Sequence, residues 1–198
     1  MSLTTGILLF EGFEELDAVG PWEVFGMARM AGHEADRVVL IAERPGPVRA
    51  AKGMRMLADH GFGDAPPLDV IVVPGGQGTR SEAENPALLE WLRKAAAGCT
   101  WVTSVCTGSL LLHAAGLARG RRVTTHWGYV AQLRERGDVE VLEGVRYVRD
   151  GNLVTSAGVS AGIDMALWLV GQIHGTAHAR LTQKLMEYEP APPYAAEV

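Results

Sequence analysis

Cys106 follows the apolar run Trp101-Val-Thr-Ser-Val105 without a spacer, and Thr107-Gly108-Ser109 come directly after it. A strand that turns sharply into a helix lifts the residue at the turn above the sheet, which is the geometry of a nucleophile elbow. The α/β-hydrolase form of that elbow carries Gly two positions before and two after the nucleophile; here those positions hold Ser104 and Gly108, a partial match. A helix N-terminus supplies free N–H groups and a positive dipole end, which lower a thiol's pKa, each unit being about 1.36 kcal/mol of preference for the thiolate. The opposing reading is that an unpaired Cys packs as a small apolar residue. Position alone leaves both open.

Other residues gain meaning beside that thiol. Pro74-Gly-Gly-Gln-Gly78 closes a buried strand, and Gly75 and Gly76 there let backbone amides approach a bound atom, as an oxyanion hole requires. The turn is neither a Walker loop nor a dinucleotide fingerprint. Asp17 lies among Leu16, Ala18 and Val19; it is either a helix-surface residue, the commoner case, or a buried acid with a raised pKa. Glu14 and Glu15 read as solvated first-turn charges. His126, after Val123-Thr-Thr125, fits the base of a Cys–His pair or equally a capping histidine. Gly158 and Val159, where a late helix begins, are expected to flank the same place. Cys99 has no helix N-terminus beside it and reads as structural. A Cys99–Cys106 bridge would have to close over an extended strand of roughly 20 Å, so none is expected. The remaining histidines (His33, His60, His113, His174 and His178) lack zinc-type spacing, so no metal is expected.

Positioning these groups requires strands that end where they lie. Residues 5–10, 37–42, 68–73 and 101–105 form short, apolar, β-branched runs, the signature of strands buried on both faces. Helices are predicted over 14–30, with Gly20-Pro21 as a break or restart, and after Asn85-Pro86, a cap followed by Pro at the first helical position. Further helices are expected over 107–115, 128–136, 162–173 and 176–187, with hairpins near 44–58 and 145–156 and a brief strand at 122–124. The alternation predicts an α/β sandwich around a mainly parallel sheet. In such sheets the working residues collect at the carboxyl ends of strands, which here means after Phe10, Val73 and Val105.

The composition excludes several classes. At 198 residues the chain fits one domain, 1–198, with a Pro-rich tail from about residue 190. A content of 47% hydrophobic and 21% charged residues supports a packed core and argues against disorder. Net charge is −5 with no polybasic run, so neither nucleic acid nor a membrane surface is an expected partner. The apolar stretch 157–173 is interrupted by Ser160, Asp164 and Gln172, which argues against a bilayer span. With only two cysteines and no signal-peptide pattern, a reducing cytoplasm is the expected compartment.

Several segments together resemble the ThiJ/PfpI superfamily. They are Glu14-Glu-Leu-Asp-Ala-Val-Gly-Pro-Trp-Glu-Val24, Asp69-Val-Ile-Val-Val-Pro-Gly-Gly76, Thr103-Ser-Val-Cys-Thr-Gly-Ser109, the stretch from Ala115 to Thr-Thr-His-Trp127, and Arg149-Asp-Gly-Asn-Leu-Val-Thr155 with Ala161-Gly-Ile-Asp164. Within it the chain is most similar to isocyanide hydratases, down to Glu187-Tyr-Glu-Pro-Ala-Pro-Pro193. The resemblance implies a flavodoxin-like three-layer sandwich, like that of class I glutamine amidotransferases. It also implies a homodimer without cofactor, and hydration of isocyanides to N-substituted formamides through a thioimidate on Cys106. Asp17 would then handle protons, and Thr107 would face the pocket. Peptidase relatives place His directly after the cysteine, where this chain has Thr107, and glyoxalase relatives commonly carry Glu at the acid, where it has Asp17. The same signatures occur in sensor domains of AraC-like regulators, which continue into a helix-turn-helix region that this chain, ending at Val198, is not expected to have. Alternatives to the hydratase are a glyoxalase or deglycase acting on 2-oxoaldehydes and a non-enzymatic redox or ligand sensor.

Overall fold

The computed structural model describes residues 2–190. In chain order its elements are β1 (Thr4–Leu8), α1 (Glu15–Met30), β2 (Arg37–Ile41), β3 (Gly46–Arg49), β4 (Arg55–Ala58), β5 (Val70–Val73), α2 (Thr79–Glu82), α3 (Pro86–Gly98), β6 (Trp101–Val105) and α4 (Gly108–Ala114). There follow β7 (Arg122–Val123), a 3-10 turn (Trp127–Tyr129), α5 (Val130–Arg134), β8 (Glu140–Val141), β9 (Tyr147–Asp150), β10 (Leu153–Ser156), α6 (Ala161–His174) and α7 (Thr176–Leu185). Apart from Pro190, the expected Pro-rich tail lies outside the described residues.

The central sheet has the order β2-β1-β5-β6-β10-β9, parallel throughout except for the antiparallel edge pair β10–β9. It is a flavodoxin-like α/β sheet with helices on both faces: α1, α6 and α7 pack together on one side, and α2, α3 and α4 on the other. Every residue of β5 is fully buried, as an unbroken Val/Ile run requires when both faces are covered. Asn85 caps α3 by accepting the N–H groups of Ala87 (3.0 Å) and Leu88 (3.4 Å), with Pro86 at the first helical position. The hairpin foreseen near 44–58 is β3–β4, whose strands run antiparallel. Among the described residues no helix is long and apolar enough to cross a membrane.

Helix α1 departs from the sequence-based expectation at Gly20-Pro21, where it continues without a break. Pro cannot donate to the carbonyl four residues earlier, but Gly20 lacks the Cβ that Pro crowds in its predecessor. Gly20 also lets α6 approach: a Cβ there would lie 3.0 Å from the Ile163 side chain. The buried stripe of α1 comprises Asp17, Ala18, Pro21, Val24, Phe25 and Ala28, a helical spacing that faces the sheet. Asp17 therefore occupies a core position, not the surface position that its type alone suggests.

Candidate active site

The segments after β1, β5 and β6 meet above the carboxyl edge of the sheet. Glu14 N donates to Gly75 O (2.8 Å), Gly78 N donates to Gly12 O (3.1 Å), and Phe13 pairs with Gly76 in an isolated bridge. From below, the β3–β4 turn braces this junction: Gly12 N donates to Arg49 O and Ala51 N to Phe13 O, both at 2.8 Å. Lys52 pairs with Glu14 and Glu15, whose side chains are mostly covered and not freely solvated as expected.

Cys106 has φ +57°, a left-handed conformation that is rare for a residue with a side chain and is found at elbow turns. The surroundings hold it there. Its N–H donates to Ser156 O (3.2 Å) and Ala157 O (3.1 Å), and its carbonyl accepts the hydroxyls of Ser109 (3.2 Å) and Thr125 (3.0 Å). Gly108 makes the turn possible, because a Cβ at that position would fall 2.1 Å from Val73 O. The residue is 7% exposed.

Asp17 is fully buried, and its Oδ2 accepts the N–H of Gly75 at 2.8 Å while Oδ1 has no hydrogen-bond partner among the described residues. A carboxylate near a helix N-terminus normally gains about 0.3–1 kcal/mol from the dipole. Removing it from water costs several kcal/mol, so burial wins. Burial accordingly pushes Asp17 up to about 8, with Glu14 adding repulsion and the bond from Gly75 opposing the rise. Burial first, then the neighbouring Asp17 charge, push the Cys106 thiol up to about 12. The N–H groups of Thr107 and Val159 and the Thr107 hydroxyl pull the other way without prevailing. The lowered thiol pKa expected from the helix end is thus overturned: α4 is short, and desolvation outweighs its dipole. Both shifts favour the uncharged forms of thiol and carboxyl, and two groups in such contact titrate as a pair.

Oδ2 is held by an N–H, so the acid proton belongs on Oδ1, the oxygen without a donor. That leaves a buried acidic O–H beside a thiol.

The other expected site residues fall into two groups. The amides of Gly75 and Gly76 are both engaged, Gly75 N with Asp17 and Gly76 N with the Thr107 hydroxyl (3.0 Å). Their N–H groups are therefore not free to form an oxyanion hole; they fix the acid and the residue after the cysteine. The free donors at the thiol are Thr107 N and Val159 N, the latter presented by a residue that also has positive φ (+51°). His126 is half-buried, its Nδ1 accepts Gly128 N (3.1 Å), and its ring packs on Gly158. Among the described residues no hydrogen bond joins His126 to Cys106, whereas Asp17 acts directly on the thiol, so the geometry favours a Cys–Asp pair over a Cys–His one. His126, Gly158 and Val159 instead line a cleft of about 290 Å³ with Thr125, Trp127 and Val145. Thr79 was not foreseen: fully buried on α2, its hydroxyl donates to Gly76 O (2.8 Å) and lies 3.3 Å from that of Thr107. Its only sequence signal was a hydroxyl following a Gly-rich turn.

Cys99 caps α3, is buried, and donates to Ala95 O (3.3 Å). Burial pushes it up to about 12, and both cysteines are free thiols.

Residues 5–172 match the DJ-1/PfpI family. The chain belongs to the DJ-1/PfpI family. A relative from Pseudomonas putida named isonitrile hydratase is 43% identical over 194 residues, 98% of this chain and 82% of that protein. The HTH-type transcriptional regulator CdhR of Pseudomonas aeruginosa is 33% identical over 88% of this chain, which spans 52% of that protein. A crystal structure of a ThiJ/PfpI family protein from Pseudomonas syringae superimposes with a TM-score of 0.90 at 32% identity, covering all of this chain and 80% of that one. As a DJ-1/PfpI member with an isonitrile hydratase homologue of nearly the same extent, the chain is supported as an enzyme acting on a small molecule.

Proposed function

We propose that this chain hydrates isocyanides to N-substituted formamides, with Cys106 as nucleophile and Asp17 as the group that carries protons. The pairing of a buried thiol with a buried carboxyl whose Oδ1 has no other partner is the observation that carries the reading. The isonitrile hydratase homologue supplies the reaction class.

An isocyanide carbon bears a lone pair and is also electrophile enough for a soft nucleophile. It therefore needs a proton and a sulfur at the same atom, in a site that excludes bulk water. In the first half-reaction the carbon takes the Oδ1 proton of Asp17 and forms a bond to Cys106 Sγ. The thiol proton passes to Asp17, giving the thioimidate Sγ–CH=N–R. Water then adds to that carbon while the imine nitrogen takes the Oδ1 proton and a water proton replaces it on Asp17. The tetrahedral adduct collapses, its C–S bond breaks, the hydroxyl proton returns to sulfur, and R–NH–CHO leaves. Thr107 N and Val159 N would steady charge developing on sulfur, and the cleft bounded by His126, Trp127 and Val145 would take the R group. The same reading has the chain working without cofactor, as a homodimer in the cytoplasm.

The half-length match to a transcriptional regulator favours a rival in which the domain senses a ligand or a redox change, Cys106 being an oxidation-prone thiol in the redox case. A buried thiol with a raised pKa is poorly suited to that, because oxidation follows thiolate character and exposure. The covalent step is tested by acid-quenching the protein with an isocyanide and weighing its peptides. The hydratase reading expects the Cys106 peptide to gain the full mass of the isocyanide. An unmodified Cys106 during measurable turnover would overturn the covalent route.

A further inference from the structure

The end of α6 distant from the thiol holds a second group of chemically capable side chains. His33 lies on the turn after α1, Asp36 directly precedes β2, and His174 closes α6. One donor atom from each lies within 4.8 Å of the others. His174 Nε2 is 2.9 Å from Asp36 Oδ2, while Asp36 Oδ1 accepts the backbone N–H of Leu3 at 2.8 Å. The His33 ring stacks on that of His174 with centroids 3.7 Å apart. His178, whose Nε2 donates to Ala28 O (2.9 Å), stands edge-on to His33 at 4.5 Å.

A structural His–Asp bond accounts for His174 and Asp36 but not for a second imidazole whose donor atom comes within 4.8 Å of both. We infer that His33, Asp36 and His174 form a binding site for a borderline divalent cation of the zinc type. Two imidazoles and one carboxylate are the donor set such ions take, and three protein ligands leave a fourth position for water. The bond from Leu3 orients Asp36 so that Oδ2 faces the imidazoles, as an outer-shell partner does in metal sites. Access exists, since both imidazoles are only half-buried while Asp36 is buried behind them.

Donors around a tetrahedral ion with 2.0–2.1 Å bonds stand roughly 3.3 Å apart, so His33 must move inward by up to about 1.5 Å and tilt off its stack. Its place on a short turn beside Gly32, which has φ +138°, permits that movement. The site lies roughly 20 Å from the thiol turn, since α6 runs 14 residues at about 1.5 Å each between the two. An ion there would tie together the starts of β1 and β2 and the ends of α1 and α6, which is a structural role separate from Cys106. The sequence-based expectation of no metal rested on spacing along the chain. Ligands that meet only through the fold escape that rule.

The test is titration of the purified chain with Co²⁺ and Zn²⁺, read by metal absorption bands, by competition with a chelator dye, and by Tm. One equivalent should bind with nitrogen–oxygen ligand-field bands and raise Tm. His33→Gln and His174→Gln should each weaken binding at least about tenfold, and Cys106→Ala should leave it unchanged. Absent binding, equal binding by His33→Gln and wild type, or thiolate-to-cobalt charge transfer would overturn the site. His33 is half-buried on a turn, so its variant keeps the test available if His174→Gln fails to fold.

Discussion

Gly75 donates its N–H to Asp17 Oδ2 at 2.8 Å, and the same glycine leaves no room for a side chain: a Cβ there would lie 2.5 Å from Thr107 N. One residue thus holds the acid and permits the approach of the residue that follows the thiol. The spatial relation of Asp17 to Cys106 depends on this crossing point between the ends of β5 and β6.

Gly75→Ala should therefore be costly although alanine is the smallest change available. The blocking atom is backbone, so β5 and the elbow must separate. Overpacking of this kind costs about 1–3 kcal/mol and will lower Tm. Turnover should fall by more than stability alone explains, because Asp17 and Thr107 shift relative to the thiol. A folded variant with wild-type kcat would remove the crossing point from the account.

Asp17→Asn keeps the shape and the bond from Gly75 but removes the proton that Oδ1 carries. General acid–base groups contribute about 10²–10⁴ in rate, and a loss of kcat in that range is expected. Steady-state kinetics beside a thermal melt decide it. Unchanged kcat would end the proton-carrying role.

The raised pKa of Asp17 also fixes a sign for pH dependence. Burial lifts the carboxyl to about 8 in the folded chain, so the native state binds this proton more tightly than the unfolded state does. Its contribution to stability is therefore most favourable below the ordinary carboxyl pKa and declines as pH rises toward 8. Asp17→Asn lacks this penalty, so its Tm should gain on wild type between pH 5 and pH 8. A Tm difference independent of pH would contradict the buried neutral acid. In the same range kcat/KM should fall as the acid ionises near pH 8.

Cys99→Ser should keep most of the activity. The Cys99 thiol donates to Ala95 O, a bond that a serine hydroxyl can also make. Loss of turnover by a folded variant would assign Cys99 a part in the chemistry.

Much of this was legible in the chain, and what was not has identifiable causes. The Cys106 elbow is local: an all-apolar strand runs straight into Thr107-Gly108, and β6 and α4 form where that pattern puts them. The burial of Asp17 is a tertiary fact, although its place in a stripe with Ala18, Pro21, Val24 and Phe25 was a signal that outweighed its type. The break expected at Pro21 did not occur because Gly20 and the packing of α6 accommodate it. The brief strand expected at 122–124 is β7, but its two-residue partner β8 is too short for any periodicity to show. The upward shift of the thiol escapes the sequence because the helix end is visible there and desolvation is not.

The central claim is tested most directly by measuring formamide production from cyclohexyl isocyanide by the wild-type chain and Cys106→Ala side by side, with methylglyoxal as a second substrate. Formamide from wild type alone, and no consumption of methylglyoxal, is the expected result. A folded, reduced wild type that makes no formamide, or a Cys106→Ala variant that makes it at an equal rate, would contradict the hydratase mechanism.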